Sequence, residues 1–261
     1  VALIGGLVAT PALALDKIRV GVLATGTAQW EMNTIVRNKL AERFGLELEI
    51  VPLGTKLTQA IALENQAADV VLTDYLWTSE QRRNKADYTF VPSSRASGGM
   101  IARPDSGITK VEDIKGKRIG IFGGPDEDNF VLFRAYAKKV ANIDVEKDVK
   151  ISFVGGAPLL NETIQKGDLD AVINMWNFNA RLRAVGYKDV FSVPGMQAAL
   201  RVSAPPPLLG WVFSETWAKA NPKLIDGFIK ASLEAKKILL TNDDDWKQMQ
   251  TLMGAQGNDA R

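Results

Sequence analysis

The chain has 261 residues, 46% of them hydrophobic and 24% charged, with 32 Lys and Arg against 30 Asp and Glu. It contains no Cys and no His, which excludes thiol nucleophiles, disulfides, Cys/His zinc sites, iron–sulfur ligation and every Ser-His-Asp or Cys-His mechanism. The formal net charge of +2 leaves no basic excess for a dedicated nucleic-acid binder.

Residues 1–14 (VALIGGLVATPALA) carry no charge. The run is shorter than the roughly 20 apolar residues that span a membrane. With Pro11, and with Ala12 and Ala14 in an A-x-A arrangement, it reads as the latter part of a secretory signal. Export to a periplasm is therefore expected. The absence of Cys does not oppose it, since a chain of this length needs no disulfides.

From Lys17 onward, short β-rich runs alternate with helical patterns, which indicates an α/β fold of parallel strands and covering helices. Residues 18–23 read as a strand and 30–44 as a helix with Met32, Ile35, Val36 and Leu40 on one face. A strand at 47–52, a helix at 55–66 capped by Thr55, and a strand at 69–73 follow. A strand-like segment at 98–103 joins the first half to a second. There the series recurs as a strand at 118–122, a helix at 127–140 with Phe130, Phe133 and Val140 inward, a strand at 149–154, a helix at 158–166 and a strand at 169–174. Pro194, Pro205, Pro206 and Pro207 exclude a long helix from the return segment 191–213. Helices are expected at 215–220 and 223–241, and Asn242-Asp243-Asp244-Asp245 opens another at Trp246. Residues 254–261 show no apolar period and read as a frayed or cut end.

The two series are related. The strand opening at 18 recurs at 118, and Asp69-Val70-Val71-Leu72 recurs as Asp170-Ala171-Val172-Ile173. Gly54 after the second strand matches Gly155-Gly156. Two copies of a β-α-β-α-β unit make two lobes. The expected division is 15–100 for the first lobe, 101–203 for the second, and 204–261 returning to the first. Two crossings form a hinge, and a hinge between lobes forms a cleft.

Ligands of open α/β sheets sit at the carboxyl ends of strands. Those ends carry Thr27, Gln29 and Trp30, then Asp74, Tyr75 and Trp77, then Gly124 and Asp126, then Gly155, then Asn174 and Trp176. The tryptophans and Tyr75 offer flat walls, while the Asn, Asp, Gln and Thr side chains offer directional contacts. Trp217 and Trp246 lie on helical patterns and are assigned to packing. No G-x-G-x-x-G, Walker or EF-hand spacing occurs, so no cofactor and no metal is expected. Asp126-Glu127-Asp128 complement a helix dipole in any setting. Facing the cleft, they favour a neutral or cationic solute over an anion.

Residues 109–120 (TKVEDIKGKRIG) resemble the L-x-D-L-K-G-K-x-I-G stretch of solute-binding proteins of ABC importers. Gly155-Gly156-Ala157-Pro158-Leu159-Leu160-Asn161, Gly167-Asp168-Leu169-Asp170-Ala171 and Asn174-Met175-Trp176 are similar to the nitrate/sulfonate/taurine-type branch, as are Asp69-Val70-Val71-Leu72 and Trp217-Ala218. The likeness runs over residues 17–246. It implies a two-lobed type II periplasmic-binding-protein fold, and a monomeric, non-enzymatic receptor that closes on a small-molecule solute and delivers it to an ABC permease. That branch serves sulfonates, nitrate, bicarbonate and thiamine-precursor pyrimidines. Asp126–Asp128 depart from its anion-binding pattern, so an aromatic or nitrogen-containing solute is the first expectation. A sulfonate, taurine or nitrate held by backbone donors at Thr27, Gly124 and Gly155 is the second. Related chains run on through further helices, which places some C-terminal cleft contacts beyond residue 261. A sensor domain, or an enzyme on the same fold, is the remaining alternative. The related thiamine-pyrimidine synthase depends on His, which this chain lacks.

Overall fold

A computed structural model describes residues 15–203 and 207–254. The signal-like run 1–14, Pro205, Pro206 and all but Gly254 of the expected frayed end lie outside the described residues. The first part of the chain runs β1 (Asp16–Leu23), α1 (Ala28–Arg37), α2 (Leu40–Arg43), β2 (Leu46–Leu53), α3 (Lys56–Glu64), β3 (Val70–Asp74), α4 (Tyr75–Arg83) and β4 (Tyr88–Ser94). A second series follows as β5 (Gly99–Ala102), a short 3-10 turn at Val111–Ile114, β6 (Arg118–Phe122), α5 (Asp128–Ala141), α6 (Val145–Asp148) and β7 (Lys150–Val154). It continues through α7 (Ala157–Gln165), β8 (Ala171–Asn174), α8 (Trp176–Ala184), β9 (Lys188–Ser192) and α9 (Val193–Ala199). The chain ends in β10 (Leu209–Ser214), α10 (Glu215–Ala220), α11 (Pro222–Thr241), α12 (Asp243–Gln248) and α13 (Gln250–Met253).

Two five-stranded sheets result, ordered β2-β1-β3-β10-β4 and β7-β6-β8-β5-β9. Each is mixed but mainly parallel, as the sequence suggests, with four of its five strands running the same way. The strand following each crossing, β10 in the first sheet and β5 in the second, runs antiparallel to both its neighbours. The segment read as a connector at 98–103 is thus largely an interior strand of the second sheet. Its backbone is paired on both sides, and the crossing itself precedes it. Apolar residues on alternating strand positions feed a cluster on either side of each sheet. Ile18, Val20, Val22, Val70 and Trp211 pack under α1 and α11, while Val71 and Val212 pack on the other side.

The internal repeat is physical as well as textual. In the first lobe the Arg19 backbone N–H and guanidinium both donate to Asp69, at 2.8 Å and at 2.6 and 3.1 Å. In the second lobe Arg118 grips Asp170 in the same way, at 2.9 Å and at 2.6 and 3.3 Å. Each bidentate pair clamps the start of β1 or β6 to the loop entering the central strand of its sheet, β3 or β8.

Three local expectations are corrected. The helix read at 30–44 breaks at Lys39, which is left-handed with φ of 50°. Asn38 turns its side-chain amide back onto the Thr34 carbonyl there. Val36 is consequently 52% exposed while Met32 and Ile35 are buried. Val140 is likewise 44% exposed. Asn142 ends α5 in the left-handed region and the Ile143 N–H bonds back to the Ala137 carbonyl. Ile143 therefore fills the core position in place of Val140.

Gly98 stands at the first crossing, with the carbonyl of Asn174 against it. A β-carbon there would lie 1.7 Å from that oxygen. Gly98→Ala is expected to cost about 3 kcal/mol or more, because backbone rather than a flexible side chain must move. Gly155→Ala, with nothing within 4 Å of the added carbon, is expected to change stability by no more than about 0.5 kcal/mol. Urea unfolding of both variants checks the contrast.

Candidate functional site

Strand ends from both lobes meet around one cavity of about 80 Å³. The first lobe contributes Leu23, Gly26, Thr27 and Ala28 from the β1–α1 turn, Lys56 and Gln59 from α3, and Leu72, Thr73 and Asp74 from β3, with Leu209 beside them. The second lobe contributes Glu127 and Asp128 from the start of α5, and Met175 after β8.

Local sequence explains how the polar groups arrive. Thr55 caps α3, its side chain accepting from the Thr58 N–H. The cap turns Lys56, the first helical residue, toward the cleft. An ammonium there opposes the helix dipole, and carboxylates compensate it. Lys56 Nζ lies 2.7 Å from Asp74 Oδ2. It also donates across the lobe boundary to the Asp126 carbonyl oxygen at 2.9 Å. Asp74 is itself the N-cap of α4, its Oδ1 accepting from the Trp77 N–H at 2.8 Å. Both its oxygens are therefore committed. Gln59 donates to the Leu72 carbonyl oxygen at 2.8 Å and steadies the β3 end.

Opposite them stand Glu127 and Asp128, both buried. Asp128 Oδ2 is enclosed and has no hydrogen-bond partner among the described residues. Burial, and then the Asp128 charge, pushes Glu127 up to about 8. Burial, and then the Asp74 charge, pushes Asp128 up to about 7. Lys56 pulls both downward without prevailing. Burial works to lower the Lys56 ammonium in turn, but Asp74, Asp128 and Glu127 outweigh it and raise its pKa. One ammonium thus faces three carboxyl groups, and protons make up the balance near neutrality.

The residues singled out in the sequence are distributed unevenly. Thr27 and Asp74 line the cavity. Asp126 takes part through its carbonyl oxygen while its side chain is exposed. Gln29 bonds the Leu23 carbonyl oxygen at 3.3 Å. Tyr75 packs toward the second lobe's core, and its N–H bonds the Leu208 carbonyl oxygen. Trp77 stacks on Tyr88 at 5.6 Å in a first-lobe cluster. Asn174 is fully buried, donating to Asn161 and the Ala157 carbonyl oxygen and accepting from the Met175 N–H. Gly124 lies beside the Asp126 carboxylate, and Gly155 is open to solvent. Trp30 and Trp176 meet edge-on across the lobes, with centroids 5.7 Å apart.

Sequence reasoning missed Lys56, Gln59 and Met175, and assigned Trp246 to packing alone. Trp246 does pack, with its indole N–H on the Leu239 carbonyl oxygen. It also meets Trp30 edge-on at 5.8 Å. The neighbouring Asp245 is buried against α1, accepting from Thr34 at 2.8 Å and pairing with Arg37 at 2.6 Å. A lysine at the first position of a capped helix, against the dipole, was the available signal for Lys56. Among the described residues no cluster of His, Cys, Asp or Glu converges as a metal ion would require.

The family model described as NMT1/THI5 like matches residues 42–245, and the chain belongs to that family. Comparison with curated proteins returns no sequence match. Among solved structures, the periplasmic aliphatic sulphonate binding protein SsuA from Escherichia coli is similar, with a TM-score of 0.72 at 15% identity over 93% of this chain and 80% of that one. The alkanesulfonate-binding protein SsuA from Xanthomonas axonopodis pv. citri, bound to MOPS, gives 0.72 at 14% identity over 95% and 83%. A binding protein component of an ABC phosphonate transporter from Pseudomonas aeruginosa gives 0.60 at 15% identity over 82% and 74%. These likenesses establish the fold as the two-lobed α/β architecture of periplasmic binding proteins.

The raised carboxyls bind protons more tightly in the folded state than in the unfolded one. Their contribution is therefore full below about pH 4 and is lost as pH climbs through about 7 and 8. The unliganded protein is expected to show a falling melting temperature from pH 5.5 to 8.5. Asp128→Asn should flatten that slope and be at least as stable as the parent at pH 8.5. Thermal unfolding across this range checks both.

Proposed function

We propose that this NMT1/THI5-like chain is the solute-binding receptor of an ABC importer. It works in the periplasm as a monomer and carries a small aromatic or nitrogen-containing solute to the membrane permease. The working lobes are 15–100 with 204–261, and 101–203, which close on the solute between them. The observation that carries this reading is the buried acidic cavity at the lobe boundary. Its walls come from both sheets, and its one ammonium is outnumbered by carboxyls. A solute bearing nitrogen supplies what those carboxyls lack. Binding then holds the lobes together, and the difference in affinity between closed and open forms is the signal the permease reads. The family membership and the two-lobed fold support the receptor role, which needs no reacting group and accords with a chain lacking His and Cys.

A sulfonate or taurine receptor is the second reading. Thr27 and Ala28, at the N-terminus of α1, line the same cavity, and helix N-termini favour anions. A thermal-shift screen of amines, pyrimidines, sulfonates and nitrate separates the two. A ligand present at 100 times its dissociation constant adds about 2.7 kcal/mol. That amounts to roughly 5–10 °C in a chain of this size. Shifts with amines or pyrimidines are expected. Shifts with sulfonates alone would replace the first reading by the second, and a flat screen against all classes would sink the receptor role.

A further inference from the structure

We infer that the solute's anchoring group is a compact monocationic nitrogen head, an ammonium or amidinium, which donates N–H bonds to Asp128 and is counted against the built-in charge of Lys56. The inference rests on the receptor reading above and names the chemistry of its site. Three observations carry it.

Asp128 is only 6% exposed and lines the cavity, yet its Oδ2 has no hydrogen-bond partner among the described residues. A buried carboxylate oxygen left unpaired is costly, and what satisfies it must be a donor. The other carboxylate of the cavity's first-lobe side is not available, because Asp74 is committed to Lys56 and the Trp77 N–H. Recognition therefore falls on the second lobe.

Size limits the head group next. About 80 Å³ is far below the roughly 300–1,000 Å³ of pockets that hold whole drug-sized ligands. A group of a few heavy atoms fits. An inorganic cation is disfavoured because the acidic side chains do not converge on one point.

Lys56 sets the charge. It sits between Asp74 of its own lobe and the Asp126 carbonyl oxygen of the other, so one positive charge is already in place. A single further cation leaves one excess negative charge among the three carboxyls, which one proton retained on Glu127 closes, whereas balancing a dication requires all three to ionise. An anionic head would find its donors in Lys56 and the α1 N-terminus, and would be repelled by Glu127 and Asp128.

The two chemistries respond oppositely to the same two variants. Methylammonium and acetamidine serve as cation probes and methanesulfonate as the anion probe, titrated by calorimetry at pH 7.5 into the full chain. Asp128→Asn keeps shape and volume, and is expected to weaken the cation probes about 10- to 100-fold. Lys56→Met removes the competing charge, and is expected to leave cation binding as tight as in the parent or tighter. Circular dichroism establishes that each variant is folded. If Lys56→Met leaves Asp74 buried alone and does not fold, the Asp128→Asn titration decides by itself. Cation binding unaffected by Asp128→Asn, or no cation binding at all, overturns the inference. In either case methanesulfonate binding lost in Lys56→Met would keep the receptor reading while refuting this one.

Discussion

The meeting of the two lobes turns on one ammonium among three buried carboxyl groups at their boundary. Unit charges 4 Å apart interact by about 4 kcal/mol at an effective dielectric near 20. An excess negative charge between the lobes is therefore large on the scale of a domain's whole stability. Lys56 cancels part of it through Asp74 and reaches the second lobe through the Asp126 carbonyl oxygen. The remainder must be met by protons on Glu127 and Asp128 or by a partner. On the proposed reading, whatever meets it also holds the lobes together, which makes charge balance and closure a single equilibrium.

The scaffold reaches that arrangement by duplication with divergence. Both lobes pin their first parallel strand, β1 or β6, with the same Arg–Asp clamp, and both place a glycine in that strand where a helix or neighbouring strand presses close. A β-carbon at Gly21 would lie 2.8 Å from Leu53, and one at Gly120 would lie 2.5 Å from Leu160. The backbone is thus equivalent in the two halves, while the chemistry at the strand ends is not. The first lobe presents the lysine and the N-terminus of α1. The second presents the acidic start of α5. A symmetrical pair of lobes would confront like charges across the cleft, so the divergence is what allows the halves to meet.

This division also explains what could be read from sequence. Periodicity located ten of the principal strands and helices of the repeated units, because a buried strand and an amphipathic helix each stamp their spacing on the chain. It missed α4, β4, α8 and β9, two polar helices and two half-exposed strands. It ran α1 on through Lys39, because nothing in the apolar pattern records Asn38 folding back onto Thr34. At the site, the rule about strand ends found the right loops. It could not say which residue of a loop turns inward, since that follows from cap geometry. Asp126 stood out in the sequence, yet its neighbour Asp128 is the one whose carboxylate is enclosed. Lys56 escaped notice because it opens a helix whose cap was read correctly, without asking what a cation does there.

Among the contacts that join the lobes across the cleft, two differ in chemistry. Trp30 against Trp176 is an aromatic contact, indifferent to protonation, and it is braced from behind by Trp246. Asp245 seats that brace through Thr34, Asn38 and Arg37 of α1 and its cap. The second link, Lys56 to the Asp126 carbonyl oxygen, lies within a cluster whose charge changes near neutrality. The aromatic link sets where the lobes meet, and the acidic cluster sets whether meeting there is favourable. For the proposed receptor, a solute that alters only the second shifts the whole equilibrium without touching most of either lobe, provided its affinity differs between the two states. On the proposed reading, a cavity of about 80 Å³ governs two five-stranded sheets because it governs their charge.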